Sequence, residues 1–165
     1  MNANSAVSCM QTANGASTPN GDLLVLTFFV NGDEYAVDIL SVQEIRSWAA
    51  PMPIPHAPAF VKGAINIRGE IVPIVDLRSR LGFPEGLPDG ATVIVVMRDR
   101  SAVPRVLGVV VDAMSDVAKV ENQTIKPPPL QAEFGVTMGI IALPNKMIGL
   151  LDPDLLLPIR KSSTQ

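Results

Sequence analysis

The sequence predicts a mostly β chain, folded as one domain or as two small, intimate ones, and three observations carry that reading. Glycine and proline recur throughout, with 12 and 15 residues, and the segments between them are short runs rich in valine and isoleucine. Many short strands joined by tight turns give this pattern. Hydrophobic residues make up 47% of the chain and charged residues 18%, so a substantial core is available. A chain of 165 residues buries roughly 70% of its unfolded surface on folding.

Residues 1–21 are mainly Asn, Ser, Thr, Ala and Gly. Such a segment has little to bury and is expected to be a disordered tail. It holds no Lys or Arg and no apolar stretch, so it does not read as a signal peptide. Ala6-Val7-Ser8-Cys9 resembles a lipoprotein cleavage site only faintly, and Cys9 reads as an idle thiol. A single cysteine excludes an internal disulfide.

Leu23–Val30 reads as a strand, followed by a turn at Asn31-Gly32-Asp33 and a second strand, Glu34–Val37. Asp38 then ends an apolar run, where its carboxylate can accept from the first free N–H groups of a helix. Asp76, Asp112 and Asp152 repeat the device, the last with Pro153 in the favoured first helical position. Spacings of 38 residues (38 to 76) and 40 residues (112 to 152) suggest two similar halves.

Ile39–Trp48 carries two periodicities. Ile39, Val42 and Ile45 share a helical face, whereas Val42, Glu44 and Arg46 share a strand face. A short helix running into a strand satisfies both. Pro51–Pro58 is an extended, stiff connector. In the central stretch, Ala64–Ile67 and Glu70–Val75 flank Arg68-Gly69, a tight hairpin turn in which Gly69 supplies the positive φ. The second run is apolar on both faces, at Ile71, Val72, Ile74 and Val75, which suggests a buried strand. Pro73 lacks an N–H and belongs at an unpaired or bulged position. Arg68 is left at the hairpin tip, where a solvated turn arginine is the plain reading.

Leu77–Leu81 follows as a short helix stopped by Gly82, and a loop, Pro84–Gly90, joins the halves. Thr92–Met97 and Val106–Val111 are strong strands connected by the charged loop Arg98–Arg105. Val117–Val120 is a further strand. Pro127–Pro129 opens an irregular crossing. Gly139–Leu143 and Met147–Leu151 are strands, Pro153–Leu157 is a helical turn, and residues 161–165 end the chain polar. Ile74 and Val110 are expected to be fully buried.

Several function classes find no support. A net charge of −3 with dispersed basic residues argues against nucleic acid. No apolar run approaches the ~20 residues of a membrane-spanning helix, so direct membrane insertion is not expected. The one histidine, His56, lies in the proline connector. No Cys/His cluster has metal spacing, no glycine-rich loop precedes a helix, and no nucleophile motif stands out. Met97, Met114, Met138 and Met147 read as core filler. Catalytic residues, cofactors and metals are therefore expected to be absent, and a binding module is the better reading.

Five blocks carry a resemblance. Residues 34–45 (EYAVDILSVQEI), 58–69 (PAFVKGAINIRG) and 71–77 (IVPIVDL), with Gly108-Val-Val-Val-Asp112 and Gly149-Leu-Leu-Asp152, are similar to the CheW family in order and spacing across residues 23–157. Ile67 stands where the family usually has Leu. The resemblance implies two intertwined five-stranded SH3-like β-barrels with a few short helices, a domain spanning residues 22–160. It implies a cytoplasmic, non-enzymatic adaptor at receptor arrays. Its partners would be the cytoplasmic tips of methyl-accepting chemoreceptors and the regulatory domain of a CheA-type histidine kinase. Val42, Glu44, Ile45 and Arg68 match the family's receptor-binding motifs, kinase-contact residues are not indicated, and Gly63 and Gly69 are structural turn residues. Two other readings stand beside this one: an architectural β-module, and an enzyme or small-ligand binder using a barrel groove with Asp76 or Asp112 as a functional carboxylate.

Overall fold

A computed structural model describes residues 21–128 and 135–157. The expected tail up to residue 20, Cys9 within it, Pro129 and the polar end at 161–165 lie outside the described residues.

The chain is mostly β. Its strands are β1 (Leu23–Val30), β2 (Asp33–Asp38), β3 (Val42–Ser47), β4 (Val61–Ile67), β5 (Glu70–Asp76), β6 (Val93–Arg98), β7 (Val106–Val111), β8 (Ala113–Val120), β9 (Ile125–Lys126), β10 (Thr137–Ala142) and β11 (Met147–Leu151). Helix α1 (Leu77–Arg80) follows β5, and α2 (Pro153–Leu156) follows β11. The strands form two sheets, ordered β8-β1-β2-β11-β10-β9 and β3-β6-β7-β5-β4. The first has six strands instead of the implied five because the two-residue β9 extends it. Among the described residues, no hydrogen-bonded ladder closes either sheet into a complete barrel.

Each sheet contains one parallel pair, β2 with β11 and β5 with β7, and the other pairings are antiparallel. The sheets match if β8, β1, β2, β11 and β10 are set against β3, β6, β7, β5 and β4. They are thus similar units, but not consecutive halves: the second is inserted whole between β2 and β8. Two expectations are corrected by this order. The loop at Pro84–Gly90 joins β5 to β6 within one sheet. The equivalent aspartates are 38 with 112, which mark the crossings between sheets, and 76 with 152, which follow the parallel strands. Their separations are 74 and 76 residues, not 38 and 40.

Three of the four aspartates cap as expected. Asp38 accepts from the Leu40 N–H at 3.0 Å, Asp76 from Arg78 at 3.1 Å and Asp152 from Asp154 at 3.0 Å. Asp112 does not, because β8 starts immediately after it and leaves no helix to cap. Ile39–Ser41 is a single 3-10 turn leading into β3, the helix-into-strand transition the two periodicities implied. Gly82 terminates α1 with φ +84. The N–H groups of Gly82 and Phe83 return to the carbonyls of Ser79 and Arg78, a Schellman closure.

The core has three parts. Alternate residues of β6 divide between two of them: Val95 and Met97 join Leu26, Phe28 and Leu107 between the sheets, while Ile94 and Val96 join Val72 and Ile74 on the other face. A third cluster, around Val25, Ile141 and Leu150, fills the first sheet's own concavity. Burial on both faces explains why these strands read as continuous apolar runs. Ile74 is fully buried, but Val110 is only partly so. Ile71 is 66% exposed and Met138 and Met147 are exposed, contrary to expectation, whereas Met97 is buried and Met114 packs against the core. Pro73 stands opposite Ala64. Both backbone groups of Ala64 are bonded to Met52, so Pro73 needs no N–H toward β4.

Candidate functional site

The β4–β5 turn is the tight two-residue turn the sequence indicated, but its positive φ is not confined to Gly69. Arg68 and Gly69 both have positive φ, +51 and +85. Two left-handed central residues define the hairpin turn whose twist matches the flanking strands. The Gly69 N–H donates to Asn66 Oδ1 at 2.8 Å, which secures the turn. Arg68 therefore carries backbone strain of about 1–3 kcal/mol that glycine would not.

Its side chain is 76% exposed yet engaged, with Nη2 2.7 Å from Glu44 Oε2. Glu44 Oε1 accepts from Arg46 Nη1 at 2.9 Å. One carboxylate thus serves two guanidiniums, and the Arg46 hydrogen bond, followed by Arg68, holds its pKa below the usual carboxylate range. Glu44 lies on β3 and Arg68 at the end of β4, the two opposite edges of the second sheet. Their ion pair brings those edges together where no ladder does.

A β-bulge decides which β3 residues share this surface. Val42 pairs with Met97, and after the irregularity Glu44 pairs with Val96 and Ile45 with Val95. Directly opposed residues share a face, so Val42 and Ile45 turn with Met97 and Val95 toward the central core, where both are half-buried. Glu44 and Arg46 turn the other way. Of the four expected site residues, the fold joins Glu44 to Arg68 and points Val42 and Ile45 inward behind them. Gly63 is not in a turn: it lies in β4 with φ +144, and a Cβ there would be 2.1 Å from the Met52 carbonyl oxygen. Gly69 is in the turn, with nothing near it.

The family model of the CheW-like domain matches residues 24–161. The chain belongs to the CheW family. It is 39% identical to the chemotaxis protein CheW of Rhizobium meliloti over 142 residues, covering 84% of this chain and 90% of that protein. It is 40% identical to the chemotaxis protein CheW of Klebsiella aerogenes over 138 residues, 80% of each. Among solved structures, it is similar to the scaffolding protein TtCheW from Thermoanaerobacter tengcongensis, with a TM-score of 0.76 and 26% identity over 86% of this chain and 97% of that one.

In this CheW-family chain, the carboxylates considered for ligand chemistry are far from equivalent. Asp112 receives Arg78 Nε at 2.8 Å, Arg78 Nη2 at 2.6 Å and the Asn31 N–H at 2.7 Å. Burial raises its pKa, but these bonds outweigh burial and the net shift is downward. It pins three elements together: the β1–β2 turn, α1 and the β7–β8 junction. Asp76 shows the opposite balance, because burial dominates its single backbone bond and raises its pKa. His56 is exposed in a turn, with φ +59. Among the described residues no group of three His, Cys, Asp or Glu could hold a metal ion, and no helix is long and apolar enough to cross a membrane.

Sequence reasoning missed the residues that lock the second sheet onto α2. Asp99, placed in a charged loop, is only 3% exposed. It accepts from Arg105 Nε at 2.6 Å and Ser101 Oγ at 2.6 Å. Burial opposes its ionisation, but the Arg105 and Ser101 bonds prevail and lower its pKa to about 2. Arg105 also reaches the Leu157 carbonyl at 3.1 Å, and Arg80 those of Leu155 and Leu156 at 2.9 and 3.2 Å. Arg100 donates its N–H to Asp154 at 2.6 Å and Nη2 to Asp152 at 3.2 Å. The available signal was the Arg-Asp-Arg run at 98–100 facing Arg105 across a hairpin.

Proposed function

We propose that this chain is a non-enzymatic chemotaxis adaptor, binding the cytoplasmic tips of chemoreceptors and the regulatory domain of a CheA-type histidine kinase at membrane-associated arrays. The observation that carries the residue-level reading is the Glu44–Arg68 pair. It sets an exposed guanidinium at the rim of the second sheet in a fixed direction. Glu44 serves two arginines and carries one charge, so the two guanidiniums outnumber the carboxylate they share, with Glu70 exposed just past the turn. A helical hairpin presenting carboxylates complements the guanidiniums: apolar side chains supply burial and the rim charge sets register. Val42 and Ile45 contribute from beneath, by holding β3 and its bulge in place.

A titration of the full chain against a receptor-tip fragment and, separately, a CheA regulatory domain tests the reading. Micromolar binding to both is expected, and absence of binding to either would remove it.

A further inference from the structure

A cleft of about 240 Å³ opens where β5 runs into α1. Its size falls below the ~300–1,000 Å³ typical of sites for drug-sized ligands, so it suits a fragment-sized molecule. Trp48, Pro51, Pro88 and Val110 give it an apolar wall. The facing wall carries three carboxylates, Asp76, Glu85 and Asp112, against two cations, Lys62 and Arg78. The lining is one negative charge in excess.

Two of the three carboxylates are already answered. Asp112 is clamped by Arg78 and Asn31, and Glu85 is bonded to Lys62 Nζ. Asp76 is the one left over. Its Oδ1 accepts the Arg78 N–H, but among the described residues its Oδ2 meets only Lys62 Nζ, at 3.9 Å. That distance is too long for a hydrogen bond. The residue is 9% exposed, and since no buried side-chain oxygen among the described residues lacks a partner, Oδ2 keeps part of that exposure and opens onto the cleft.

We propose that this cleft binds a small organic cation, an ammonium or guanidinium on a short apolar stem, with Asp76 Oδ2 receiving the charged head. A cation completes the charge count of the lining and gives the accessible Oδ2 a charged donor at hydrogen-bond distance, and the stem lies along the Trp48 wall. An anion would face Asp76 directly, and a neutral donor would leave the excess charge in place. Lys62 is the internal competitor, stretched between Asp76 and Glu85. Burial raises the Asp76 pKa, and an added cation acts against that shift.

Trp48 is the only tryptophan in the sequence, so intrinsic fluorescence of the full chain reports on the cleft. Titration with n-butylguanidinium is expected to give a saturable change, while its neutral isostere n-butylurea and the anion valerate give none. Asp76→Asn keeps a good helix-capping residue and is expected to melt as wild type does while weakening binding at least tenfold. Lys62→Met removes the competitor and is expected to tighten it. No saturable response to n-butylguanidinium, an equal response to n-butylurea, or unchanged affinity in both variants would overturn the proposal.

Discussion

Arg68 combines a strained backbone, an exposed side chain and an ion pair, and each predicts a separate result. Exposed pairs contribute about 0–1 kcal/mol, so Arg68→Glu is expected to lower stability by no more than about 1 kcal/mol in a thermal melt. The same change places a carboxylate beside Glu44 and inverts the charge at the hairpin tip. Affinity for a receptor tip is expected to fall at least tenfold, about 1.4 kcal/mol. Normal melting with unchanged binding of both partners would return Arg68 to a plain solvated turn residue. Gly69→Val forces a β-branched residue to a φ of +85. It is expected to cost about 1–3 kcal/mol and to weaken binding only through the fold. Asp99 gives the pH dependence. Its pKa falls from 3.8 to about 2 on folding, so the folded state binds fewer protons than the unfolded one. The stability it contributes is fully present above pH 3.8 and disappears as pH falls toward about 2. Acid titration of Asp99→Asn is expected to lack that component, and an unchanged acid transition would show that the Asp99–Arg105 pair is not involved.

At the scale of elements, β5 and β7 meet at one crowded point. A Cβ on Gly108 would be 2.6 Å from Ile74 Cδ1 and 2.8 Å from Ile94 Cγ2. Ile74→Ala is expected to cost about 2–5 kcal/mol through lost burial and a cavity. Gly108→Ala is expected to cost about 1–3 kcal/mol through overpacking. Because the cavity accepts the added methyl, denaturant melts of the double variant should show a loss smaller than the sum of the two; strict additivity would place these side chains apart. Elements of this kind were largely legible in the sequence. Turn residues and apolar runs located the strands, and Asp38, Asp76 and Asp152 announced the caps, because those signals lie within a few residues of what they specify. The bulge after Val42 was not legible. It depends on β6 lying alongside, and it alone separates Val42 from Glu44, which simple alternation puts on one face. Asp99 was hidden for the same reason: its burial depends on Arg105 and on α2, whose pairing with this loop leaves no local mark. The cleft around Asp76 draws on the connector after β3, on β4, β5, α1 and β7, and on the loop after α1, so only Asp76 and Asp112 stood out beforehand.

Over the whole molecule, the central core takes side chains from both sheets, and α2, which follows the last strand of the first sheet, is held by arginines of the second. Leu156 is fully buried within that core. Leu156→Ala is expected to lower stability by about 2–5 kcal/mol and to reduce hydrogen-exchange protection in β1 and β6 alike. Loss confined to one sheet would show that the two unfold separately. The strand order also has a consequence for synthesis on the ribosome. The second sheet is contiguous, from Val42 to Val111, and all of its strands emerge before β8. The β1–β2 hairpin is made before the second sheet yet lacks both neighbours until much later: Tyr35 of β2 must wait for Gly149 of β11. The nascent chain therefore carries an apolar hairpin with two open edges while the sheet behind it folds. Two strands that leave the ribosome before the whole second sheet are completed only after it.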